Sequence, residues 1–255
     1  MIKVVVAGAF GRMGTTLSRM IAESDVLELV GGVDVRAGTQ FGADVVEPSE
    51  LGTLLEERRP DVLMDFTVAA AAVGNIRTAA DHGVALVVGT TGFSDDQAAA
   101  NHAAIDGRIP AVISSNYAIG VNVFWQLIRA AAPLLAGYDI EVIEAHHRYK
   151  KDAPSGTAKT ILTILDETLG ERKKVYGREG MAERGNEIGV HAIRGGDIVG
   201  DHAVLFAGNY ETITLSHRAY DRAVLATGAL RAAEWVVGRP AGVHTFAEVL
   251  GLGAC

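Results

Sequence analysis

The residues best suited to chemistry lie at positions 144–158, in the sequence Glu-Ala-His-His-Arg-Tyr-Lys-Lys-Asp-Ala-Pro-Ser-Gly-Thr-Ala. Two histidines, an arginine and two lysines fall within positions 146–151, which we call the basic cluster. Histidine and lysine can deliver protons to a reacting group. The chain as a whole carries a net charge of −8, so this local positive charge stands out and would attract an anion. The basic cluster therefore predicts an active site for an anionic substrate.

A strand and a helix must position this cluster. Positions 139–144 alternate apolar and acidic residues, which predicts a strand that ends at the cluster. Leucine and isoleucine residues between 161 and 169 predict the apolar face of a helix that stops at Gly170. The backbone amides of residues 155–157 then lie at a helix N-terminus, where a carboxylate or phosphate is favoured.

Two other interpretations of the basic cluster stay open at this point. A run of charges in a loop is commonly a solvated surface, with no ligand. Paired histidines also occur in metal sites, but no internal cysteine or H-x-x-x-H spacing accompanies them, because the single cysteine is Cys255. We therefore predict no metal site.

A glycine motif opens the chain. The β-branched run at 2–7 predicts a buried strand, and it passes into Gly8-Ala9-Phe10-Gly11-Arg12-Met13-Gly14 and then a helix. A second strand ends at Asp34, about 20 residues after the last glycine, where a carboxylate can bond ribose hydroxyls. Strand, glycine turn, helix and acid together predict a dinucleotide site, with a glycine turn that binds no ligand as the alternative.

Alternating strands and helices continue to about residue 117. Strands are predicted at 61–66, 84–88 and 111–113, with a helix capped by Ser94 before the last of them. Loops after the carboxyl ends of parallel strands line the ligand crevice. The loops predicted to lie beside the nicotinamide half of the cofactor, unless they are ordinary turns, contain Thr67, Gly89-Thr90-Thr91 and Asn116-Tyr117.

The second half of the chain changes pattern. A helix is predicted at 121–135, and a polar stretch at 172–189 is predicted to be mobile or wrapping. Strands are predicted at 189–194, 202–207 and 211–217, the last two as a hairpin, so this part is a mixed sheet with exposed edges. His191, His202 and His217 alternate with apolar residues and are predicted to be strand histidines with satisfied hydrogen bonds. A closing helix is expected at 224–237 and a short last element at 245–250.

Composition narrows the class of protein. The chain of 255 residues is 49% hydrophobic and contains 30 glycines, which is typical of a compact α/β enzyme. The acidic balance argues against nucleic acid as a partner. The N-terminus enters a strand at once and no apolar run reaches the length of a membrane span, so we expect no membrane partner and a cytoplasmic location.

Four segments resemble the 4-hydroxy-tetrahydrodipicolinate reductase family, also called dihydrodipicolinate reductase: residues 8–14, 89–93, 144–158 and 194–200. The resemblance spans nearly the whole chain. It implies an α/β protein with an N-terminal Rossmann dinucleotide-binding domain at 1–117 and 227–255. It also implies a second α+β domain on a mixed sheet at 118–226, which binds substrate and assembles a homotetramer.

The resemblance further implies a reaction and a set of roles. The reaction is the NAD(P)H-dependent reduction of a cyclic imine dicarboxylate to tetrahydrodipicolinate in lysine and diaminopimelate biosynthesis. The catalytic pair would be His146 and Lys150, and the substrate ligands would be His147, Ser155, Gly156, Thr157 and Thr91. The cofactor ligands would be Gly8, Ala9, Phe10, Gly11, Arg12, Met13, Asp34, Gly89, Thr90, Thr91, Ser114, Ser115, Asn116 and Tyr117.

The cofactor preference rests on one departure from the family pattern. Family members that use both cofactors often have arginine directly after the acid, where it reaches a 2′-phosphate. Val35 stands there in this chain, and Arg36 comes one residue later. We therefore expect NADH with some use of NADPH. A redox sensor of the same fold that binds a dinucleotide without catalysis is the alternative function.

Overall fold

The computed structural model of the chain describes residues 1–252, whose contacts divide them into two compact units. The first unit contains Met1–Ala118 and Leu225–Gly251, and the second contains Ile119–Val224. Cys255 lies outside the described residues. Within residues 1–252, no helix combines the length and the apolarity needed to cross a membrane.

The first unit is built on an eight-stranded sheet. Its strands, numbered along the chain with those of the second unit, are β1 (Ile2–Ala7), β2 (Leu27–Val33), β3 (Gly38–Gln40), β4 (Ala43–Val46), β5 (Val62–Asp65), β6 (Ala85–Val88), β7 (Pro110–Ile113) and β13 (Gly242–His244). Their order is β13-β7-β6-β5-β1-β2-β4-β3, and only the β3–β4 pair is antiparallel. The carboxyl ends of the central strands thus meet at one edge, where ligands bind in open parallel sheets.

Helices cover this sheet because its central strands are apolar on both faces. The helices are α1 (Arg12–Ala22), α2 (Leu51–Arg58), α3 (Ala69–Asp81), α4 (Asp95–Ile105), α7 (Ala223–Val236) and α8 (Phe246–Val249). Val5 and Leu63 of the sheet are fully buried and share a core with Leu54 of α2 and Ile76 of α3. The predicted cap of α4 is confirmed, because the Ser94 hydroxyl accepts the amide of residue 97 at 3.2 Å.

The second unit has a five-stranded mixed sheet with helices. Its elements are α5 (Ile119–Ala131), which continues as a 3₁₀ turn (Ala132–Leu135), β8 (Asp139–His146), α6 (Gly156–Leu169), β9 (Lys173–Tyr176), β10 (Glu187–Arg194), β11 (Gly200–Ala207) and β12 (Thr212–Ala219). The strand order is β12-β11-β8-β10-β9. β8 and β10 are parallel, whereas β11 is antiparallel to both β8 and β12. The predicted fold class, a Rossmann domain followed by an α+β domain on a mixed sheet, is confirmed.

The central strand β8 carries different residues on its two faces. Alternate positions from Ile140 to His146 are buried, and the apolar ones pack in a core with residues of α5 and α6 such as Phe124 and Ile161. The intervening positions are only half-buried. This alternation places Glu144 and His146 on the same, covered face of the sheet.

Short elements without a clear pattern were not predicted. They include α2, the strands β3 and β4, and β13, which extends the first sheet beyond β7. The prediction of a mobile or wrapping stretch at 172–189 was wrong in part. Residues 173–176 form β9, which pairs parallel with β10. β9 lies at the edge of the sheet and is not buried, so its sequence is polar and resembles that of a loop.

Candidate active site

The glycine turn of the first unit has the geometry of a dinucleotide cradle. Gly8 has a φ of +80°, and a Cβ there would lie 2.8 Å from the carbonyl oxygen of Phe66. A Cβ on Gly14 would lie 2.7 Å from the carbonyl carbon of Gly8, so α1 packs directly on the turn. Gly11, the N-cap of α1, provides no side-chain cap. The first amides of α1 are thus left to a ligand, as a pyrophosphate requires.

Asp34 ties the turn to the end of β2. Its carboxylate accepts the amide of Phe10 at 2.8 Å and the amide of Val35 at 2.8 Å. Val35 is 84% exposed, whereas the guanidinium of Arg36 lies 5.1 Å from the centre of the Phe10 ring. The acid predicted to bind ribose, Asp34, is therefore next to the glycine turn, and the positive charge of Arg36 lies over Phe10 of the same turn.

Asp65, at the end of β5, was not predicted and organises the neighbouring loops. It is fully buried and accepts hydrogen bonds from the hydroxyls of Thr67 and Thr90 and from the amide of Asn75, each at 2.7 Å. Thr90 was predicted to bind the cofactor, but its hydroxyl is engaged in this network. Thr91, the next residue, is exposed and lies in the loop after β6, where the sequence predicts it.

Tyr117 was predicted to bind the cofactor, and its side chain is instead part of the core. It is 2% exposed, and its hydroxyl lies 2.8 Å and 2.9 Å from the carbonyl oxygens of Val112 and Val88. Burial raises the pKa of this phenol. Only the backbone of Tyr117 is available to a ligand. The preceding loop is shaped by Ser114, whose hydroxyl donates to the carbonyl of Asn116 at 2.9 Å, and Ser115 is exposed.

In the second unit, the basic cluster is anchored by a buried carboxylate. Glu144 is 1% exposed, and its Oε2 lies 2.6 Å from Nδ1 of His146. Arg194 of β10 donates two hydrogen bonds to the same carboxylate, both at 2.8 Å. Bidentate pairing of this kind is strong and fixes geometry. Glu144 and Arg194 were missed as site residues, although Glu144 stands two residues before His146 on a predicted strand.

The pKa values in this cluster follow from burial and from the ion pair. Burial raises the pKa of Glu144, but the hydrogen bonds from Arg194 and His146 outweigh it, so the carboxyl titrates below its ordinary value. Burial lowers the pKa of His146, and Glu144 offsets this only partly. His146 is thus a largely neutral imidazole near pH 7 that can take up and release a proton.

His147 and Lys150 occupy the loop after β8. Nη2 of Arg222 donates to Nε2 of His147 at 3.0 Å, so the ring proton of His147 is on Nδ1. That Nδ1 is buried and has no hydrogen-bond partner among residues 1–252, which suits it to donate to a ligand carboxylate. The ammonium of Lys150 lies 2.9 Å from Asp152, which lowers the pKa of that carboxyl.

The turn at the start of α6 was predicted to hold substrate carboxylates, and it is partly engaged within the protein. The amide of Ser155 donates to Glu144 at 3.1 Å, and its hydroxyl accepts from Ala158 at 3.2 Å and lies 3.1 Å from Nε2 of His202. Ser155 is buried and positions the turn, whereas Gly156 is exposed and Thr157 half-exposed. These two residues remain candidates for contact with an anion.

The prediction that the strand histidines are satisfied was correct for one of three. His191 lies 2.7 Å from Glu141. In contrast, the Nδ1 atoms of His202 and His217 are buried without a partner in the described part of the chain. The ring of His202 lies 5.1 Å from that of His146, and burial lowers its pKa to about 4. His202 is therefore a neutral side chain that lies next to the ring of His146.

Comparison with known proteins identifies the family. Residues 2–117 match the model "Dihydrodipicolinate reductase, N-terminus", and residues 120–250 match "Dihydrodipicolinate reductase, C-terminus". The chain is 66% identical over 252 residues to a 4-hydroxy-tetrahydrodipicolinate reductase of Methanoregula boonei, covering 99% of each chain. It is 64% identical to the protein of that name from Methanoculleus marisnigri, covering 99% of this chain and 100% of the relative.

A solved structure agrees with these relatives. The dipicolinate-bound dihydrodipicolinate reductase of Paenisporosarcina sp. TG-14 superposes with a TM-score of 0.82 at 25% identity, covering 97% of this chain and 98% of that one. The family predicted from the four sequence segments is confirmed. The chain belongs to the dihydrodipicolinate reductase family of NAD(P)H-dependent oxidoreductases.

Proposed function

We propose that this chain is a 4-hydroxy-tetrahydrodipicolinate reductase that converts a cyclic imine dicarboxylate to tetrahydrodipicolinate in lysine and diaminopimelate biosynthesis. The observation that carries the proposal is the basic cluster, which begins at the last residue of β8 and continues into the loop before α6, so that His146, His147 and Lys150 lie in one short segment. The names of the relatives from Methanoregula boonei and Methanoculleus marisnigri support the same activity.

Binding of the substrate falls to the donors of the second unit. Nδ1–H of His147, whose ring is held by Arg222, has no partner among the described residues and is the donor that we assign to one carboxylate. The exposed first turn of α6, at Gly156 and Thr157, suits the other, since a helix N-terminus favours negative charge. A dianion is thereby held by fixed donors rather than by mobile surface charges, which is the arrangement that keeps a substrate in register for reaction.

The chemical step needs one proton and a donor for developing charge. When bound, the reduced nicotinamide would supply a hydride to C4 of the conjugated ring that remains after the 4-hydroxyl of the substrate has left as water. The electron pair displaced through the conjugated ring then takes up a proton. Lys150 and protonated His146 are the groups that meet the growing negative charge and deliver that proton. His146 is the last residue of β8, and Lys150 lies four residues further along, on the loop that follows.

The residues of the first unit fit a dinucleotide. Gly8 and Gly14 leave no room for a Cβ, and the uncapped start of α1 offers amides to the pyrophosphate. Asp34 suits a ribose with free hydroxyls and disfavours a 2′-phosphate. Arg36 offers a compensating positive charge next to this acid, from its place over Phe10. We therefore propose that NADH is preferred and that NADPH is used less well.

Turnover with each cofactor tests the function. Purified protein is mixed with freshly made substrate, and the absorbance of NADH or NADPH is followed, with dipicolinate as a planar competitor. We expect Lys150→Ala to lower kcat by about 10²- to 10⁴-fold, the usual contribution of a positioned proton donor, at unchanged affinity for NADH.

Lys151→Ala is the matched control, since Lys151 is the exposed neighbour in the same loop and we expect its kcat to stay within about twofold of wild type. Equal turnover in Lys150→Ala and wild type would refute the role of Lys150. Binding of NADH without any turnover by the wild-type protein would instead support a redox sensor.

The oligomeric state and the location stay predictions. A homotetramer assembled through the mixed sheet is supported by large apolar side chains on its strands, since Ile193 of β10 is 50% exposed and Ile213 of β12 is 39% exposed. Light scattering at assay concentration measures the mass directly, and a monomer would contradict the tetramer. The predicted cytoplasmic location is likewise untested.

A further inference from the structure

The carboxylate of Glu144 has all of its hydrogen-bonding capacity used by four donors. Oε2 lies 2.6 Å from Nδ1 of His146 and 2.8 Å from Nη1 of Arg194. Oε1 accepts from Nη2 of Arg194 at 2.8 Å and from the amide of Ser155 at 3.1 Å. An ionised carboxylate offers about four lone-pair positions, so this buried group is saturated.

These contacts determine which nitrogen of His146 carries the resting proton. Arg194 can only donate, and the carboxylate that it pairs is ionised and can only accept. A contact of 2.6 Å between Oε2 and Nδ1 is therefore a hydrogen bond only when Nδ1 bears the proton. The second ring nitrogen, Nε2, then carries the lone pair and faces Gly200, where an added Cβ would lie 3.3 Å away.

The sheet holds both partners of His146 in place. Glu144 lies two residues before His146 on β8 and therefore on the same face. Arg194 is the cross-strand neighbour of His146 in the parallel β8–β10 pair. The imidazole is thus oriented from within the strand and from the adjacent strand, whereas Lys150 is on a loop.

We infer that Glu144, clamped by Arg194, is a positioning residue for the reaction: it keeps the proton of resting His146 on Nδ1, so that Nε2 is the atom that exchanges a proton with the substrate. This inference rests on the function proposed above and adds residues outside the basic cluster to it. Glu144 does not itself contact the substrate, because it is buried and saturated by protein donors, so its effect on the chemical step is exerted through His146.

The charges around His146 give the inference a measurable signature. Glu144 on its own strand raises the pKa of His146, whereas burial lowers it, as do Lys150 on the following loop and Arg194 on β10. His202 on β11 faces the same ring and is neutral at assay pH. Removing the charge of Glu144 leaves only the lowering influences, so protonated His146 would persist only at lower pH.

The test is the pH profile of kcat for Glu144→Gln. We expect kcat at pH 7 to fall about 10- to 100-fold, the effect typical of removing the partner that orients a functional imidazole. We expect KM for the substrate to change less than about threefold, because Glu144 does not touch it. The limb of the profile that reports loss of the His146 proton should move to lower pH.

Glu141→Gln is a matched control on the same strand. Glu141 also bonds a histidine, His191 at 2.7 Å, and an arginine, Arg184 at 3.4 Å, but on the opposite face of the sheet. We expect its pH limb to coincide with that of wild type. A limb at wild-type pH in Glu144→Gln, with kcat unchanged, would overturn the inference.

A second measurement avoids any dependence on folding of the variant or on turnover. Nitrogen chemical shifts of ¹⁵N-histidine-labelled wild-type protein report the tautomer of His146 directly. We expect the Nδ1-protonated form, and an Nε2-protonated resting state would overturn the inference even if Glu144→Gln fails to fold. Absence of turnover in wild-type protein would refute the proposed function instead, while the tautomer would still be read.

Discussion

Replacing Gly14 by alanine tests the cradle in the first unit. The new Cβ would lie 2.7 Å from the carbonyl carbon of Gly8 and 2.8 Å from the carbonyl oxygen of Ala9. Carbon atoms in van der Waals contact are about 3.5–4.0 Å apart, so α1 must move away from the turn by about 0.8 Å or more. The three nearest atoms, of which the carbonyl oxygen of Gly8 is the closest, all belong to the backbone, so rotation of a side chain would not remove these contacts.

The cost follows from that displacement. Overpacking of this kind costs about 1–3 kcal/mol of unfolding free energy, and occasionally more. The same movement shifts the first amides of α1 relative to the pyrophosphate. Loss of one charge-assisted hydrogen bond, about 1.5–3 kcal/mol, corresponds to a roughly 10- to 100-fold higher Kd for NADH. Urea unfolding measures the first effect, and fluorescence titration with NADH measures the second.

Gly74→Ala is the control, because Gly74 is exposed in the middle of α3 and a Cβ there meets no atom within 4 Å. Alanine should stabilise this helix by about 0.5–1 kcal/mol and leave the affinity for NADH unchanged. The reasoning would be refuted if Gly14→Ala were as stable as Gly74→Ala and bound NADH like the wild type.

Two further predictions concern buried groups. Tyr117→Phe removes a hydroxyl that serves two buried carbonyls, so the free energy of unfolding should fall by about 1–2 kcal/mol with NADH affinity unchanged; weaker NADH binding at full stability would mean that the hydroxyl faces the cofactor instead. The pKa of His202 is about 4 in the folded protein against an ordinary 6.5, so its contribution to stability is complete above pH 6.5 and is lost as the pH falls toward 4, by up to about 3 kcal/mol. The free energy of unfolding, measured with a chemical denaturant across this pH range, should depend less on pH in His202→Gln than in wild type. His146 and His217 also have lowered pKa values but are present in both proteins, so the difference between the two reports His202. The same pH dependence in both proteins would contradict the lowered pKa of His202.

Periodicity and turn residues sufficed to predict most of the fold. The strand β1 is a continuous apolar run that is buried on both faces, whereas β8 and the helices α3, α6 and α7 have periodic apolar patterns that bury one face. The three-residue strands β3 and β13 could not be predicted in this way, because a segment of three residues shows no period. Their pairing depends on neighbours that are distant in sequence.

Some parts of the candidate site could be predicted from the sequence and others could not, for the same reason. The basic cluster and the glycine turn are contiguous, so residue type and spacing were enough to indicate them. Arg194 reaches Glu144 from 50 residues away and Arg222 reaches His147 from 75 residues away, and only the register of the sheet and the course of the chain bring them together. Tyr117 shows a different limit, since its position after a strand predicts a ligand contact, but the sequence does not show that its side chain is buried and that only its backbone could make the contact.

The position of β8 in the middle of its sheet gives the two members of the proposed catalytic pair different freedom. β8 is paired on both sides along most of its length, and such strands exchange their amide hydrogens only when the whole cooperative unit opens. The imidazole of His146, at the end of β8, therefore keeps its orientation for as long as the unit stays folded. Lys150 lies four residues further along, on a loop outside the strand pairing, and its ammonium is held by Asp152 on the same loop. One member of the pair is therefore fixed by the sheet, and the other depends on the conformation of a loop.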